Sequence, residues 1–408
     1  STAMSTKSRM TLSAGDDGPA LAACQAHDTP TDTPTERLRG FVFLCAVVWM
    51  VWPLMATRWL PIEDLPQHLA AVRVLHSFHD ARFAFEQYFE LSLSKTQYLA
   101  YYLLVDGLAY VLDLELANRV VMLGCAAATP YALAYLLSAL RRERALALFA
   151  LPLTYNAHLI LGFINFLMAI PAALWGLGLC VRQRQAPTSR RGLLIACVAT
   201  FCFFCHVVPF AFLLLGAALL GVSRDVRRIA LSVMPLAPSL LIGGVWLAQS
   251  PAGQATLTAA QGGGAGPQAQ YQPAAFALHD LPNWLTDVLH GPEGLQLLKG
   301  YASLLVLTLA LGLVRLVLVR PWRGQAQQLA ASGARSAVLC LLPLAPLALT
   351  AYFIAPTSYD WIWPIAQRFP LLALYFLVPQ QLNEHGVDAE NIKVEEMAIR
   401  DAFERYTR

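Results

Sequence analysis

Long runs of apolar residues without charged side chains constrain this sequence most. The chain has 408 residues, of which 57% are hydrophobic and only 13% are charged, whereas a soluble domain carries about 25% charged residues. A helix of roughly 20 apolar residues crosses the hydrocarbon of a bilayer. We therefore predict an all-α, polytopic transmembrane protein with about ten spans. The predicted spans are 41–58, 119–140, 145–160, 162–181, 193–207, 208–223, 229–248, 300–319, 336–355 and 368–379.

Several of these runs are shorter than a straight crossing needs. The stretches 145–181 and 193–223 each contain two short runs. Each pair is compatible with two short spans or with a re-entrant hairpin.

The distribution of charge predicts the orientation. Four short loops are basic, and the positive-inside rule places them in the cytoplasm. Their arginines are Arg141, Arg142 and Arg144; Arg182, Arg184, Arg190 and Arg191; Arg224, Arg227 and Arg228; and Arg320, Arg323 and Arg335. The loops 59–118 and 249–298 are long and carry few or no basic residues. We expect both outside, in a protein of the bacterial inner membrane.

Three regions follow from this pattern. Residues 1–39 are polar and are expected to form a disordered cytoplasmic tail. Residues 40–379 form the membrane domain, and residues 380–408 are expected to be an acidic soluble tail. The stretch 97–112 contains Asp106, so we predict an interfacial helix with its tyrosines at the lipid headgroups rather than a span.

Residues 202–206 read CFFCH, the spacing at which haem is attached in c-type cytochromes. The surrounding sequence is continuous apolar helix, and haem needs a pocket and usually a second axial ligand. We expect no haem and interpret the cysteines as small buried side chains. His206 stays a candidate site residue because it lies near membrane depth. A histidine bonded to a carbonyl is the alternative.

The first outer loop contains the strongest local motif, with Glu63 and Asp64 directly after the first span. Asp64, Pro66 and Gln67 are typical of a helix start, so Asp64 is expected to cap that helix under one interpretation. Under the other, the carboxylates act as a general base toward an acceptor hydroxyl or hold a divalent cation, Mg²⁺ or Mn²⁺. His68 follows Asp64 by one helical turn and could transfer a proton or bind a metal. The helix itself is expected to lie on the membrane.

The chain resembles the GT-C class of polytopic glycosyltransferases. One span, an outer loop that opens with an acid, interfacial helices and many short spans are typical of these enzymes, which use polyprenyl-phosphate-linked sugars. Four segments carry the resemblance, which covers roughly residues 40–378: DLPQHLAAVRVL (64–75), YNAHLILGFINFLMAIPAALW (155–175), CHVVPF (205–210) and QRFPLLAL (367–374).

The resemblance implies an inverting transfer to an extracytoplasmic acceptor. Asp64, with Glu63 as the alternative, would be the catalytic base or cation ligand, and Arg368 would hold the donor phosphate. His68 and His206 would assist. The alternative for Arg368 is an interfacial anchor beside Trp361 and Trp363.

Further polar residues are weaker candidates. Asn156, His158 and Asn165 could bind sugar hydroxyls, although polar bridges between helices are common in membranes. The second outer loop offers His279, Asp280 and Asp287 as an acceptor lid. The expected partners are a polyprenyl-phosphate sugar and membrane lipids, with no nucleic acid.

Two rival functions stay open. A transporter or flippase for a lipid-linked or anionic substrate would place its polar residues at mid-span, whereas here they gather at the outer surface. The second rival is a non-catalytic subunit of an envelope complex. Members of the GT-C class often carry a larger outer domain after the last spans, whereas this sequence has an acidic tail at that place, which would suit such a subunit. That rival predicts that Asp64→Asn leaves function intact.

Overall fold

This computed structural model describes residues 34–57, 60–222, 226–251, 253–254, 269–286, 292–318, 333–359 and 362–380. About 80% of it is helical, which confirms the all-α fold class. The predicted disordered tail up to residue 33, most of the Gly/Gln-rich part of the second outer loop and the acidic tail from residue 381 lie outside the described residues. The chain forms two compact units, 1–42 and 43–408, and the described part of the first is the helical stretch 34–42. The predicted disordered tail of residues 1–39 is therefore wrong for residues 34–39, which begin a helix.

The described residues of the first half of the chain form eight helices. They are α1 Pro34–Ala56, α2 Leu65–His76, α3 Ala100–Ala109, α4 Leu114–Ala139, α5 Ala157–Leu161, α6 Ile164–Gln185, α7 Ser189–Cys205 and α8 Val207–Gly221. The later helices are α9 Val226–Val233, α10 Ala237–Gln249, α11 Ala274–Thr286, α12 Pro292–Leu318, α13 Gly333–Leu341, α14 Leu344–Ile354 and α15 Phe369–Leu377.

Short elements connect these helices. Seven are 3₁₀ turns: Phe85–Gln87, Leu93–Lys95, Arg144–Ala150, Pro152–Thr154, Met234–Leu236, Ala366–Arg368 and Val378–Gln380. Strand β1, Ala269–Gln270, pairs antiparallel with β2, Ser358–Tyr359. This pairing ties the second outer loop to the segment that precedes Arg368.

Five helical segments in the described part of the chain are long and apolar enough to cross a membrane. They are Pro34–Ala56, Leu114–Ala139, Ile164–Gln185, Ile229–Gln249 and Ser336–Ile354, and each overlaps a predicted span. The described residues thus support a membrane protein with five candidate spans, and the prediction of about ten spans is not confirmed.

The other predicted spans take different forms. The stretch 145–160 is wrong as one helix, since 3₁₀ turns and the start of α5 divide it. Pro152 begins one of these turns, and proline cannot donate the backbone bond that a continuing helix needs. The runs 193–207 and 208–223 form α7 and α8, of 17 and 15 residues. The last run forms the nine-residue α15.

Helix α6 lies at the centre of the main hydrophobic cluster. In the most apolar 18-residue stretch of α6, 89% of the residues are buried, whereas the corresponding value for α1 is 17%. It packs against α4, α7 and α8. At Gly178 a Cβ would come within 2.7 Å of the Tyr135 ring, so glycine allows α4 to approach closely.

Helices α2 and α3 each pack one face against the protein, while Leu103 and Leu104 of α3 stay exposed. Val72 of α2 and Val105 of α3 are both fully buried in the main cluster. Tyr101 is also fully buried and donates a hydrogen bond to Asn118 Oδ1 at 2.6 Å. The predicted headgroup position is therefore wrong for Tyr101.

The central helices place the basic loops and the acidic loop at opposite ends. At one end, Gln185 Nε2 of α6 donates to the Ala139 carbonyl of α4 at 3.2 Å, and Arg184 donates to the Leu220 carbonyl of α8. At the other end, α6 begins directly after the turn that contacts Glu63 and Asp64. Helices α4 and α6 both end beside the basic loops, as this arrangement requires.

Candidate functional site

The segment from residue 156 to residue 166 is the framework of the candidate site. Asn156 caps α5, since its Oδ1 accepts hydrogen bonds from the backbone amides of His158 and Leu159 at 2.9 and 3.3 Å. Its Nδ2 donates to the Leu153 carbonyl at 2.7 Å. The structure therefore uses both ends of this buried amide in the backbone. Asn156 supports the site and has no group left for the sugar hydroxyl that the sequence suggested.

Glu63 and Asp64 dock against the end of α5 through the backbone. The Glu63 amide donates to the Ile160 carbonyl at 2.8 Å, and the Asp64 amide donates to the Leu161 carbonyl at 3.3 Å. Gly162 follows with a φ of +97°, and a Cβ there would lie 2.8 Å from Asp64 Cβ. Glycine at this position is required both by the backbone conformation and by the close approach of Asp64.

The Asp64 side chain does not cap α2. Asp64 occupies the N-cap position, but its φ of −84° and ψ of −1° are helical, and the carboxylate forms no capping hydrogen bond. The interpretation of Asp64 as only a helix cap is therefore wrong. The structure leaves a half-buried carboxylate beside the α5 turn, with the Glu63 side chain exposed next to it.

His68 is fixed by two hydrogen bonds. Its Nε2 lies 2.9 Å from the Gly162 carbonyl oxygen, which can only accept, so Nε2 carries the proton. Its Nδ1 then accepts from the Tyr102 hydroxyl at 2.8 Å. Burial lowers the pKa of His68 below its ordinary value, although the bond to Gly162 and the charge of Asp64 oppose this shift. Burial and the Asp64 charge raise the pKa of Tyr102.

Arg368 is buried in the protein, where its guanidinium group lies against two aromatic rings. Its side chain is 8% exposed, and its guanidinium carbon lies 5.3 Å from the centre of the Phe163 ring and 6.0 Å from that of Phe166. Among the described residues, its buried Nε has no hydrogen-bond partner. An interfacial anchor would extend toward the headgroups, so the anchor interpretation is wrong. Trp361 lies outside the described residues.

His158 and His206 both pack edge-on against Phe166, the ring over which Arg368 lies, with ring centres 5.0 and 5.3 Å apart. His158 Nε2 donates to the Gln367 carbonyl at 3.2 Å, which leaves Nδ1 as an acceptor. His206 Nδ1 accepts from the Val208 amide at 3.1 Å, which leaves Nε2 as a donor. Both remaining nitrogens are buried without a partner in the described structure.

Buried polar atoms without partners gather in this region. Nearly all buried polar groups in proteins are hydrogen-bonded, so such a group points to a ligand or water. Two are donors and three are acceptors, which suits a ligand with an anionic group and hydroxyls. They are Arg368 Nε, His206 Nε2, His158 Nδ1, Asn165 Oδ1 and Gln367 Oε1.

The CFFCH motif serves the core and positions His206. Cys202 and Cys205 are fully buried free thiols, and Cys202 Sγ donates to the Ala169 carbonyl at 3.6 Å. Their expected role as small buried side chains is confirmed. His206 is the residue that connects α7 to α8. Its ring stacks on that of Tyr98, with ring centres 5.0 Å apart.

The second outer loop covers His158 through a tryptophan. Asp280 accepts a hydrogen bond from Trp284 Nε1 at 2.6 Å, and the Trp284 ring stacks on His158 at 5.8 Å. Asp280 thus positions Trp284, which sequence reasoning missed although the two residues lie one helical turn apart. His279 is exposed, and Asp287 lies outside the described residues.

The described residues do not bring together three or more metal-binding side chains. Both nitrogens of His68 are occupied by Tyr102 and Gly162, so His68 is not available as a ligand. Asp64 and Glu63 remain as carboxylates that a cation held partly by a substrate phosphate could use.

No protein-family model matches this sequence, and no curated protein matches it.

Proposed function

We propose that the protein is a GT-C-type membrane glycosyltransferase. It transfers a sugar from a polyprenyl-phosphate-linked donor to an acceptor hydroxyl, with inversion at the sugar carbon. The observation that carries the proposal is the buried guanidinium of Arg368, whose Nε has no partner among the described residues. It lies over the Phe166 ring, against which His158 and His206 also pack, and each of these histidines has a ring nitrogen without a partner. The resemblance of the sequence to the GT-C class supplies the donor type.

Arg368 suits the phosphate of the donor. A buried charge is costly unless it is paired, and no ion pair between described residues includes Arg368. A guanidinium binds phosphate through charge-assisted hydrogen bonds. His206 Nε2 is a second donor beside it, while His158 Nδ1 and Asn165 Oδ1 can accept bonds from sugar hydroxyls.

Asp64 suits the role of general base. In the proposed reaction the acceptor oxygen attacks the anomeric carbon, and the bond from that carbon to the phosphate oxygen breaks. The electron pair leaves on the phosphate, where Arg368 stabilises the charge. The acceptor proton passes to the Asp64 carboxylate, which is available because it forms no capping hydrogen bond. His68 is a positioning residue, because its bond to Gly162 holds the turn against which Asp64 packs.

The location of the site supports a transferase over a transporter. The candidate residues lie near the N-terminal end of α6, which begins at Ile164. A transporter site is expected near the bilayer midplane instead. The basic loops at the opposite end support a site that faces the periplasm in a bacterial inner membrane.

The first test is mass spectrometry of the lipids that co-purify with the protein. We expect a polyprenyl phosphate, bare or sugar-loaded, with wild type and at least tenfold less with Arg368→Gln. Arg73→Gln is the control, because Arg73 is an exposed arginine of α2. Equal amounts of this lipid with wild type and Arg368→Gln would contradict the donor site.

A second variant separates binding from chemistry. Asp64→Asn keeps the size of the side chain but removes the base, so we expect it to co-purify with donor while transfer falls by about 100-fold or more. Transfer is measured with the donor identified in the first experiment. Full activity of Asp64→Asn would contradict the proposed base and favour a non-catalytic subunit.

A further inference from the structure

A second positively charged cluster lies at the opposite end of the central helices. The segments 138–144 and 182–191 contain seven arginines and a single acidic residue, Glu143, which is itself engaged within the protein. One carboxylate cannot balance this charge. The two segments lie next to each other, because the C-terminal ends of α4 and α6 are joined by the hydrogen bond between Gln185 and the Ala139 carbonyl.

Two of these arginines have a structural role. Arg184 donates to the Leu220 carbonyl and to Ser336 Oγ. Arg191 donates to the carbonyls of Arg182 and Ala186. These bonds engage both guanidinium groups within the protein, so neither arginine needs a ligand.

Arg144 and Arg182 are arranged differently. Arg144 Nη2 and Arg182 Nη2 both donate to Ser138 Oγ, at 3.2 and 3.1 Å. Two positive groups therefore converge on one neutral hydroxyl. Like charges at this separation repel each other, and an anion between them would relieve the repulsion.

The position of Arg182 is fixed by its surroundings. Its guanidinium carbon lies 4.7 Å from the centre of the Tyr135 ring, and Gly178 provides the space for that ring. The buried Nε of Arg182 has no hydrogen-bond partner among the described residues. A fixed guanidinium with an unused donor is suited to a phosphate oxygen.

We propose that Arg144 and Arg182 form a binding site for a phosphate group, namely the headgroup of an anionic phospholipid. Exposed apolar side chains in the neighbouring helices suit the acyl chains: Trp175 of α6 is 51% exposed and Leu193 of α7 is 66% exposed. Basic pockets between membrane helices bind lipid headgroups in this manner. This site does not depend on the proposed transferase activity.

The test measures the thermal unfolding midpoint of the detergent-solubilised full chain during titration with phosphatidylglycerol. Wild type should be stabilised, and Arg144→Gln/Arg182→Gln should need about tenfold more lipid for the same shift. Arg190→Gln is the matched control, because it removes an exposed arginine of the same loop and should titrate like wild type. If the double variant does not fold, Arg144→Gln alone serves, since Arg144 is exposed and should weaken binding in the same direction.

Two further probes identify the source of the phosphate. Phosphatidylcholine carries no net charge and should stabilise wild type less than phosphatidylglycerol does. Inorganic phosphate that reproduces the whole shift would overturn the lipid source while supporting the phosphate site. A double variant that titrates like wild type, or a wild type that does not respond to either anion, would overturn the site itself.

Discussion

At the scale of single residues, the tautomer of His68 shows how the site is held. The Gly162 carbonyl fixes the proton on Nε2, and the Tyr102 hydroxyl fills Nδ1. A proton added at Nδ1 would remove the acceptor for Tyr102, so the folded protein needs the neutral ring. Burial also disfavours the charged ring and so lowers the pKa of His68.

This requirement predicts how stability depends on pH. The unfolded chain binds a proton at His68 near pH 6.5, while the folded chain binds it only at lower pH. The contribution of His68 is therefore complete above 6.5 and is lost as the pH falls through and below that value. Between about pH 7.5 and about pH 5.5, the unfolding midpoint of wild type should fall more than that of His68→Gln.

Glutamine is the informative substitution because its amide can keep both hydrogen bonds without titrating. His279→Gln removes an exposed histidine of the second outer loop and serves as the control. Equal slopes for wild type and His68→Gln would contradict the assignment of the neutral ring.

Several residues of the candidate site could be named from the sequence, since Asp64, His68, His158, His206 and Arg368 are all polar residues in a largely apolar chain. Their roles depended on contacts that a sequence does not contain. Asp64 had the pattern of a cap, but the backbone bond to Leu161 sets its position instead. Phe163, Phe166 and Trp284 were missed because aromatic residues in an apolar chain are ordinarily core.

At the scale of elements, the turn at Gly162 connects α5, α2 and α6. Its left-handed backbone costs other residues about 1–2 kcal/mol, and a methyl group would also contact Asp64. We expect Gly162→Ala to lower the free energy of unfolding by about 2 kcal/mol or more and to reduce transfer activity. Both effects share one cause, the displacement of Asp64.

Gly124→Ala is the matched control for this change. Gly124 lies within α4, and a Cβ there would meet no atom within 4 Å. Alanine in a helix interior is favoured over glycine by roughly 0.5–1 kcal/mol, so this variant should be as stable as wild type or more stable. Chemical unfolding in detergent measures both; a Gly162→Ala protein as stable as Gly124→Ala would contradict the argument.

The helices themselves were easier to predict than their lengths. Continuous apolar runs identified α4, α6, α7 and α8 within a few residues at most ends. Hydropathy could not show that 145–160 is divided, because an apolar turn packed on protein has the same composition as a span. It also could not separate lipid from protein as the surface that buries Val72.

At the scale of the whole molecule, the two charged regions at opposite ends of α6 predict a topology. Glu63 and Arg190 are both exposed. A membrane-impermeant thiol reagent should label Glu63→Cys in intact cells and Arg190→Cys only after the membrane is opened. The parent protein, with its own cysteines, gives the background. Labelling of Arg190→Cys in intact cells would reverse the orientation.

The continuity of the segment from Asn156 to Phe166 has a consequence for sequence divergence. It contacts Asp64 through Gly162 and Arg368 through Phe163 and Phe166. One residue inserted before Phe166 would turn the following side chains by about 100° around the helix axis and separate the two halves of the site. Homologues of this chain should therefore differ here by replacement and should keep the same spacing, so an alignment gap in this segment would mark a protein that has lost the site.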